Sequence, residues 1–222
     1  MRLPPAPPFL PNARSLPGNP ARTPSNPHYL ADEPPLAPSC FHSAGYKVLT
    51  TCSPSNNDLT TTLGASLTFD HSSPTCAADI RTATNNSLRY AWDTISIPSS
   101  MRICADALTS HPDPQSPARY GCLLKPDGFP RADVAITYTL AYKAFGEGFK
   151  GWGKVFEEAE LGADWEFAVQ WAGVFEGLLE EEGRVRAHPV EVVEGGFGGV
   201  LGGLDRLRGG KVSGRKLVCK VA

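Results

Sequence analysis

From residue 45 onward, short apolar runs alternate with segments whose apolar residues recur at helical spacing. Tyr46–Thr51, bounded by Gly45 and Ser53-Pro54, predicts a strand. Asn57–Leu63, closed by Gly64, predicts a short helix, and Ser66–Phe69 a second strand. Cys76–Thr84 carries a helical pattern with Asp79 and Arg81 facing outward. Tyr90–Ile95 predicts a strand and Ser99–Leu108 a helix, with Met101, Ile103, Ala105 and Leu108 as its apolar residues. Tyr120–Leu124 predicts a fourth strand. Short strands alternating with helices of about ten residues imply βαβ units on a parallel sheet with right-handed crossovers. The expected fold class is therefore α/β, a partial Rossmann-like parallel sheet.

Residues 125–163 break the alternation. They are irregular and aromatic-rich, with an apolar run at 134–145. Asp164–Glu182 predicts the clearest helix: Trp165, Ala168, Trp171, Ala172, Phe175, Leu178 and Leu179 recur at helical spacing, and Gly183 suits its C′ position. Val190–Val193 predicts a strand. Phe197, Val200, Leu201, Leu204 and Leu207 mark a helix whose glycines 198, 199, 202 and 203 make it depend on packing. Lys216–Val221 predicts a last strand.

Composition changes the picture at the amino terminus. Twelve of the 21 prolines lie in the first 38 positions, which disfavours a helix there and predicts a disordered leader over 1–43. The chain then divides into residues 44–194, which carry the Rossmann-like part and the aromatic excursion, and 195–222, a terminal helix and strand. The net charge of −2 provides no general attraction to nucleic acid or membrane. No apolar stretch is long enough to span a bilayer, and a cytoplasmic protein is expected. Six cysteines without a C-x-x-C pair, and five scattered histidines, predict reduced thiols and no metal site.

The candidate chemistry sits where the first predicted strand ends, at Thr50-Thr-Cys-Ser-Pro-Ser-Asn56. In dinucleotide-binding sheets an acid at the end of the second strand holds the ribose 2′-hydroxyl and repels a 2′-phosphate. Here that end has no acid. Ser53, Ser55 and Asn56 can donate to phosphate oxygens, which favours NADPH over NADH; on local sequence alone a plain Ser-Pro helix cap is the commoner reading of the same residues. Upstream of Tyr46 the only glycines are Gly18 and Gly45, so the Gly-rich turn that cradles a pyrophosphate is missing, and the first βα unit with it. His71 follows a strand end, where an adenine would stack or a surface histidine would sit. Tyr142 and Lys143 are possible proton donors or simply pocket wall. His188-Pro189 reads as a turn, Asn85-Asn86-Ser87 as a chance glycosylation match, and Gly210–Gly214 as a basic turn.

Taken in order, Gly45-Tyr-Lys-Val-Leu-Thr-Thr-Cys-Ser-Pro54, Leu63-Gly-Ala65, Phe69-Asp70, Ile103-Cys-Ala-Asp-Ala-Leu108, Tyr138-Thr-Leu-Ala-Tyr142, His188-Pro189 and Gly209-Gly-Lys-Val-Ser-Gly-Arg-Lys-Leu-Val218 form a recognisable series. The series resembles the trans-acting enoyl reductases of fungal polyketide biosynthesis, zinc-independent members of the medium-chain dehydrogenase/reductase superfamily, over about residues 44 to 222. The resemblance implies hydride transfer from NADPH to an α,β-unsaturated polyketide thioester on an acyl carrier protein, in partnership with a polyketide synthase. It assigns Ser53, Ser55 and Asn56 to the 2′-phosphate, His71 to the adenine, and Val212 and Ser213 to the cofactor near the domain seam. It assigns Thr139, Leu140, Ala141, Tyr142 and Lys143 to the substrate. It also implies a GroES-like catalytic domain, of which only the C-terminal remnant is expected here, with a final strand left unpaired. The alternatives are a non-catalytic remnant or mis-assembled gene model of such a reductase, and a relative acting on quinones or enals.

Overall fold

The computed structural model describes residues 28–32, 41–42, 45–151, 154–181, 185–187 and 189–221. Its main feature is a six-stranded, all-parallel sheet. The strands are β1 (His28–Asp32), β2 (Lys47–Cys52), β3 (Leu67–Asp70), β4 (Tyr90–Asp93), β5 (Ala118–Cys122) and β6 (Val134–Tyr138), in spatial order 3-2-1-4-5-6. Three helices belong to this half: α1 (Asn57–Thr62), α2 (Cys76–Ala83) and α3 (Pro98–Ala107).

The centre of the sheet corrects the reading of the leader. β1 lies inside the segment expected to be disordered, yet it pairs with β2 from His28↔Lys47 to Asp32↔Thr51 and with β4 from Tyr29↔Tyr90 to Ala31↔Trp92. The prolines at 27 and 34 flank these five residues and so remove no donor from either ladder. A helical segment also precedes β2. Phe41 and His42 are helical, and Gly45, at φ +85°, ends that turn in a Schellman pattern. Its N–H donates to the His42 carbonyl at 2.9 Å, and the Tyr46 N–H donates to Phe41 at 3.1 Å. The first βα unit is therefore present in its strand and its helix end. What holds from the sequence is that residues 33–40, which link them, contain no glycine.

Alternation along the strands builds two cores. Leu30, Leu49 and Ala91 face one side, where Cys76 and Ile80 of α2, Met101 and Cys104 of α3, and Tyr120 pack around them. Val48, Tyr90 and Trp92 face the other side, against Phe41 and Tyr46.

Beyond β6 the run at 134–145 splits into that edge strand and a 3-10 helix, Ala141–Phe145. An antiparallel hairpin follows, β7 (Phe149–Gly151) with β8 (Lys154–Phe156), and then α4 (Glu158–Glu180). α4 starts six residues before the expected Asp164, passing through Gly162, because Leu161 is fully buried. Trp165, Val169 and Leu179 remain about half exposed, so the apolar stripe only partly meets a core. β9 (Val190–Val193), α5 (Gly196–Arg208) and β10 (Lys216–Cys219) make a separate βαβ unit, β9 and β10 pairing in parallel from Val190↔Lys216 to Val193↔Cys219. The final strand is thus paired, and its partner is the strand that the sequence placed with the nucleotide-binding domain. Gly183 and His188 lie outside the described residues.

Candidate cofactor site at the carboxyl edge of the sheet

From β1 the chain builds outward in one direction through β2 and β3, and in the other through β4, β5 and β6. The carboxyl ends of β1 and β4 therefore flank a topological switch point, the place where open parallel sheets leave a crevice. The side chains above these ends decide what the crevice can hold.

β2 ends at Cys52. Ser53 is extended, and Pro54–Asn56 turn as a 3-10 helix into α1. The hydroxyl of Ser53 lies 3.2 Å from Nε2 of His71, the residue that follows β3. Ser55 and His71 are exposed, so these three form a polar opening above β2 and β3. Asn56 points elsewhere. It is 7% exposed, and its Nδ2 donates to the Ser213 hydroxyl at 2.8 Å. That bond draws the Gly210–Gly214 turn onto α1. Gly214 has φ +64°, and a Cβ there would lie 2.6 Å from Asn56 Oδ1 and 3.0 Å from Leu59, so only glycine fits the approach. Arg186 adds a bond to the Thr62 carbonyl at 3.0 Å. Of the six positions linked to the cofactor by resemblance, Ser53, Ser55 and His71 thus form the opening. Asn56 and Ser213 join each other beside it, and Val212 is half-buried in the same turn.

Thr139, Leu140, Ala141, Tyr142 and Lys143 lie at the other end of the edge, after β6. Four strand intervals separate β2 from β6, about 19 Å at ordinary strand spacing. One ligand touching both groups must be long and lie across the sheet. Tyr142 lines a cleft of about 410 Å³ with Phe145, Phe149 and Lys150. The Tyr142 and Phe149 ring centres are 6.1 Å apart. Lys143 is engaged: its Nζ meets Asp164 at 2.6 Å.

The sequence reading missed Asp93, the last residue of β4. It is fully buried. Its Oδ1 accepts the N–H groups of Ile95 at 2.9 Å and Ser96 at 2.8 Å, and its Oδ2 accepts the hydroxyls of Ser100 at 2.7 Å and Tyr120 at 2.8 Å. Four donors stabilise the buried charge. They also fix the loop into α3, where Ser96 sits at φ +58°. Burial, reinforced by the Asp93 charge, raises the Tyr120 phenol far above its ordinary value. Burial pushes the Cys122 thiol up to about 11. An acid at a strand end with a serine seven positions on was the available signal; Tyr120, 27 residues away, left none. Among the described residues, no three His, Cys, Asp or Glu side chains are grouped to hold a metal ion.

No family model matches the sequence. The trans-enoyl reductase resD of Aspergillus sclerotiorum is 42% identical over 182 residues, covering 80% of this chain and 49% of that protein. The trans-enoyl reductase apdC of Emericella nidulans is 36% identical over 184 residues, covering 81% and 52%. The chain spans about half the length of these relatives. Solved structures share the fold at low identity. The CurK enoyl reductase superposes with TM-score 0.61 at 13% identity, covering 88% of this chain and 55% of its own. CurA from Vibrio vulnificus, solved with NADPH, superposes with TM-score 0.55 at 14% identity, covering 89% and 57%.

Proposed function

Because this chain is related to the fungal trans-enoyl reductases over the half of their length that it spans, we propose that it carries the nucleotide-binding half of an NADPH-dependent enoyl reductase of polyketide biosynthesis. The substrate class is an α,β-unsaturated polyketide thioester on an acyl carrier protein, presented by a polyketide synthase. The observation that carries the cofactor class is the acid-free carboxyl end of β2 in a 3-2-1-4-5-6 sheet, where Ser53 and His71 meet.

The residues present fit the adenosine end of such a cofactor. Ser53 and Ser55 can donate to a ribose phosphate, and His71 offers a flat wall for the purine. The Asn56–Ser213 bond holds the C-terminal turn beside them. The link after β1, residues 33–40, contains none of the glycines that usually cradle a pyrophosphate. When bound, NADPH supplies the hydride that reduces the C=C bond. The aromatic cleft at Tyr142 supplies apolar contact for an acyl chain, and the adjacent Lys143 is paired with Asp164. Among the described residues no helix is long and apolar enough to cross a membrane.

The test is a fluorescence titration of the chain with NADPH and NADH, followed by single-turnover assays on an acyl-carrier-bound enoyl thioester and on a free enal or quinone. Tighter binding of NADPH than NADH, and preference for the carrier-bound thioester, support the reading. Equal binding of the two nucleotides rejects the cofactor assignment. Turnover only of the free enal or quinone rejects the substrate class.

A further inference from the structure

Hydroxyls orient a phosphate monoester, but they leave its charge of roughly −1.5 to −2 at neutral pH uncompensated. Ser53 and Ser55 bring no charge to the opening. Asp70, at the end of β3, adds a negative one. Its Oδ1 accepts the N–H and hydroxyl of Ser72 at 2.8 and 2.6 Å, and those bonds hold its carboxyl below the ordinary carboxylate range. A phosphate here needs a cation from a neighbouring element.

A groove of about 400 Å³ runs between α2 and α3, with His71 at one end. Pro74, Pro98 and Ile103 give it apolar walls, and Arg102 of α3 lines it. Asp106, its one acid, lies a helical turn beyond Arg102, away from the strand ends. Nearby arginines are used within the fold: Arg81 donates to the Asp106 carbonyl, and Arg131 pairs with Asp133 at 2.6 Å while donating to the carbonyls of Ala105, Leu108 and Thr109. Arg102 differs. It is exposed, and among the described residues it has neither a carboxylate within 4.0 Å nor a hydrogen-bond partner. Its backbone is nonetheless fixed, because Ser100 is bonded to the buried Asp93 and Met101 is buried in the core.

We propose that Arg102 is the cationic partner of the 2′-phosphate on the adenosine ribose, and so the residue that sets the preference for a phosphorylated nucleotide. The assignment rests on the proposed nucleotide site and extends it from the ends of β2 and β3 to α3. The groove shared by His71 and Arg102 receives the purine, and the guanidinium closes over the phosphate held by Ser53 and Ser55.

The test uses adenosine 2′,5′-bisphosphate and AMP as probes, since neither needs a pyrophosphate cradle, with NADPH as a third ligand. Calorimetric titration of the full chain is compared with Arg102→Gln and Arg102→Lys. The bisphosphate should bind the unaltered chain more tightly than AMP. Arg102→Gln should weaken it by about tenfold or more, the usual size of a charge-assisted contact. AMP, which shares only the purine contact, should lose much less than the bisphosphate, and Arg102→Lys should recover part of the bisphosphate's loss. The proposal is overturned if Arg102→Gln leaves the ratio of the two affinities unchanged, if it weakens both probes equally, or if the unaltered chain binds neither probe. Arginine-dependent binding of the bisphosphate without binding of NADPH sustains the assignment while removing the reductase reading.

Discussion

At the scale of single residues, Asp93 and Thr50 are opposite cases: a buried carboxylate well supplied with donors, and a buried hydroxyl left without one among the described residues. Asp93 collects four donors at the end of β4, two of them backbone groups of the loop into α3. Asp93→Asn should cost about 2 kcal/mol of stability, because charge-assisted bonds are lost and an amide hydrogen faces existing donors. Urea denaturation reads this directly; an unchanged midpoint would mean that the network contributes nothing net. Thr50 is the opposite case. It is fully buried in β2, and among the described residues its Oγ1 has no partner. Thr50→Val keeps the shape and removes the stranded hydroxyl, so it should raise stability by about 1 kcal/mol, seen as a higher melting temperature.

At the scale of elements, β9, α5 and β10 are held by charge as well as by pairing. Glu191 on β9 meets Arg206 of α5 at 2.6 Å and Arg215, just before β10, at 3.3 Å. The bond from Arg206, followed by its charge and the contribution of Arg215, lowers the Glu191 carboxyl below its ordinary 4.5. A group whose folded value is depressed stabilises the fold above the unfolded value and loses that contribution as pH falls through the folded one. Intrinsic-rate-corrected amide protection in β9 and β10 should therefore decline as pH drops below about 4.5. Glu191→Gln should show the weaker protection at every pH, and salt should reduce the difference, since the pairs are exposed.

Elements built on local pattern were legible in the sequence; those built on distant partners were not. β2, β3, α2 and α3 emerged within a residue or so because their apolar spacing is local. β1 did not, because His28-Tyr-Leu-Ala-Asp32 is short, lies among prolines, and becomes a strand only through ladders contributed by residues 47–51 and 90–92. The start of α4 was hidden by Gly162, whose cost is outweighed by burial of Leu161. In the site, the opening at Ser53 and His71 was readable because both residues end strands. The Asn56–Ser213 bond spans 157 positions and had no local signature.

At the scale of the whole molecule, the main sheet depends on its central strand. Leu30 is 1% exposed and belongs to the same core as Leu49, Ala91 and Met101. Leu30→Ala should destabilise the chain by about 2–5 kcal/mol, the range for emptying a buried leucine site. Hydrogen exchange gives an independent check. The Leu30 amide should exchange among the slowest in the chain, at the global unfolding free energy. Exchange as fast as an unstructured peptide would show that residues 28–32 do not occupy the centre of the sheet.

The glycine at 214 has one more effect. By letting its turn sit against Asn56 and Leu59, it makes residues 210–214 a latch on the doorway to the crevice. Gly214→Ala should spring that latch, and trypsin should then clip Lys211 and Arg215 several times faster. An adenine nucleotide lodged at Ser53 should slow the same cuts in the unaltered chain, although it touches neither bond.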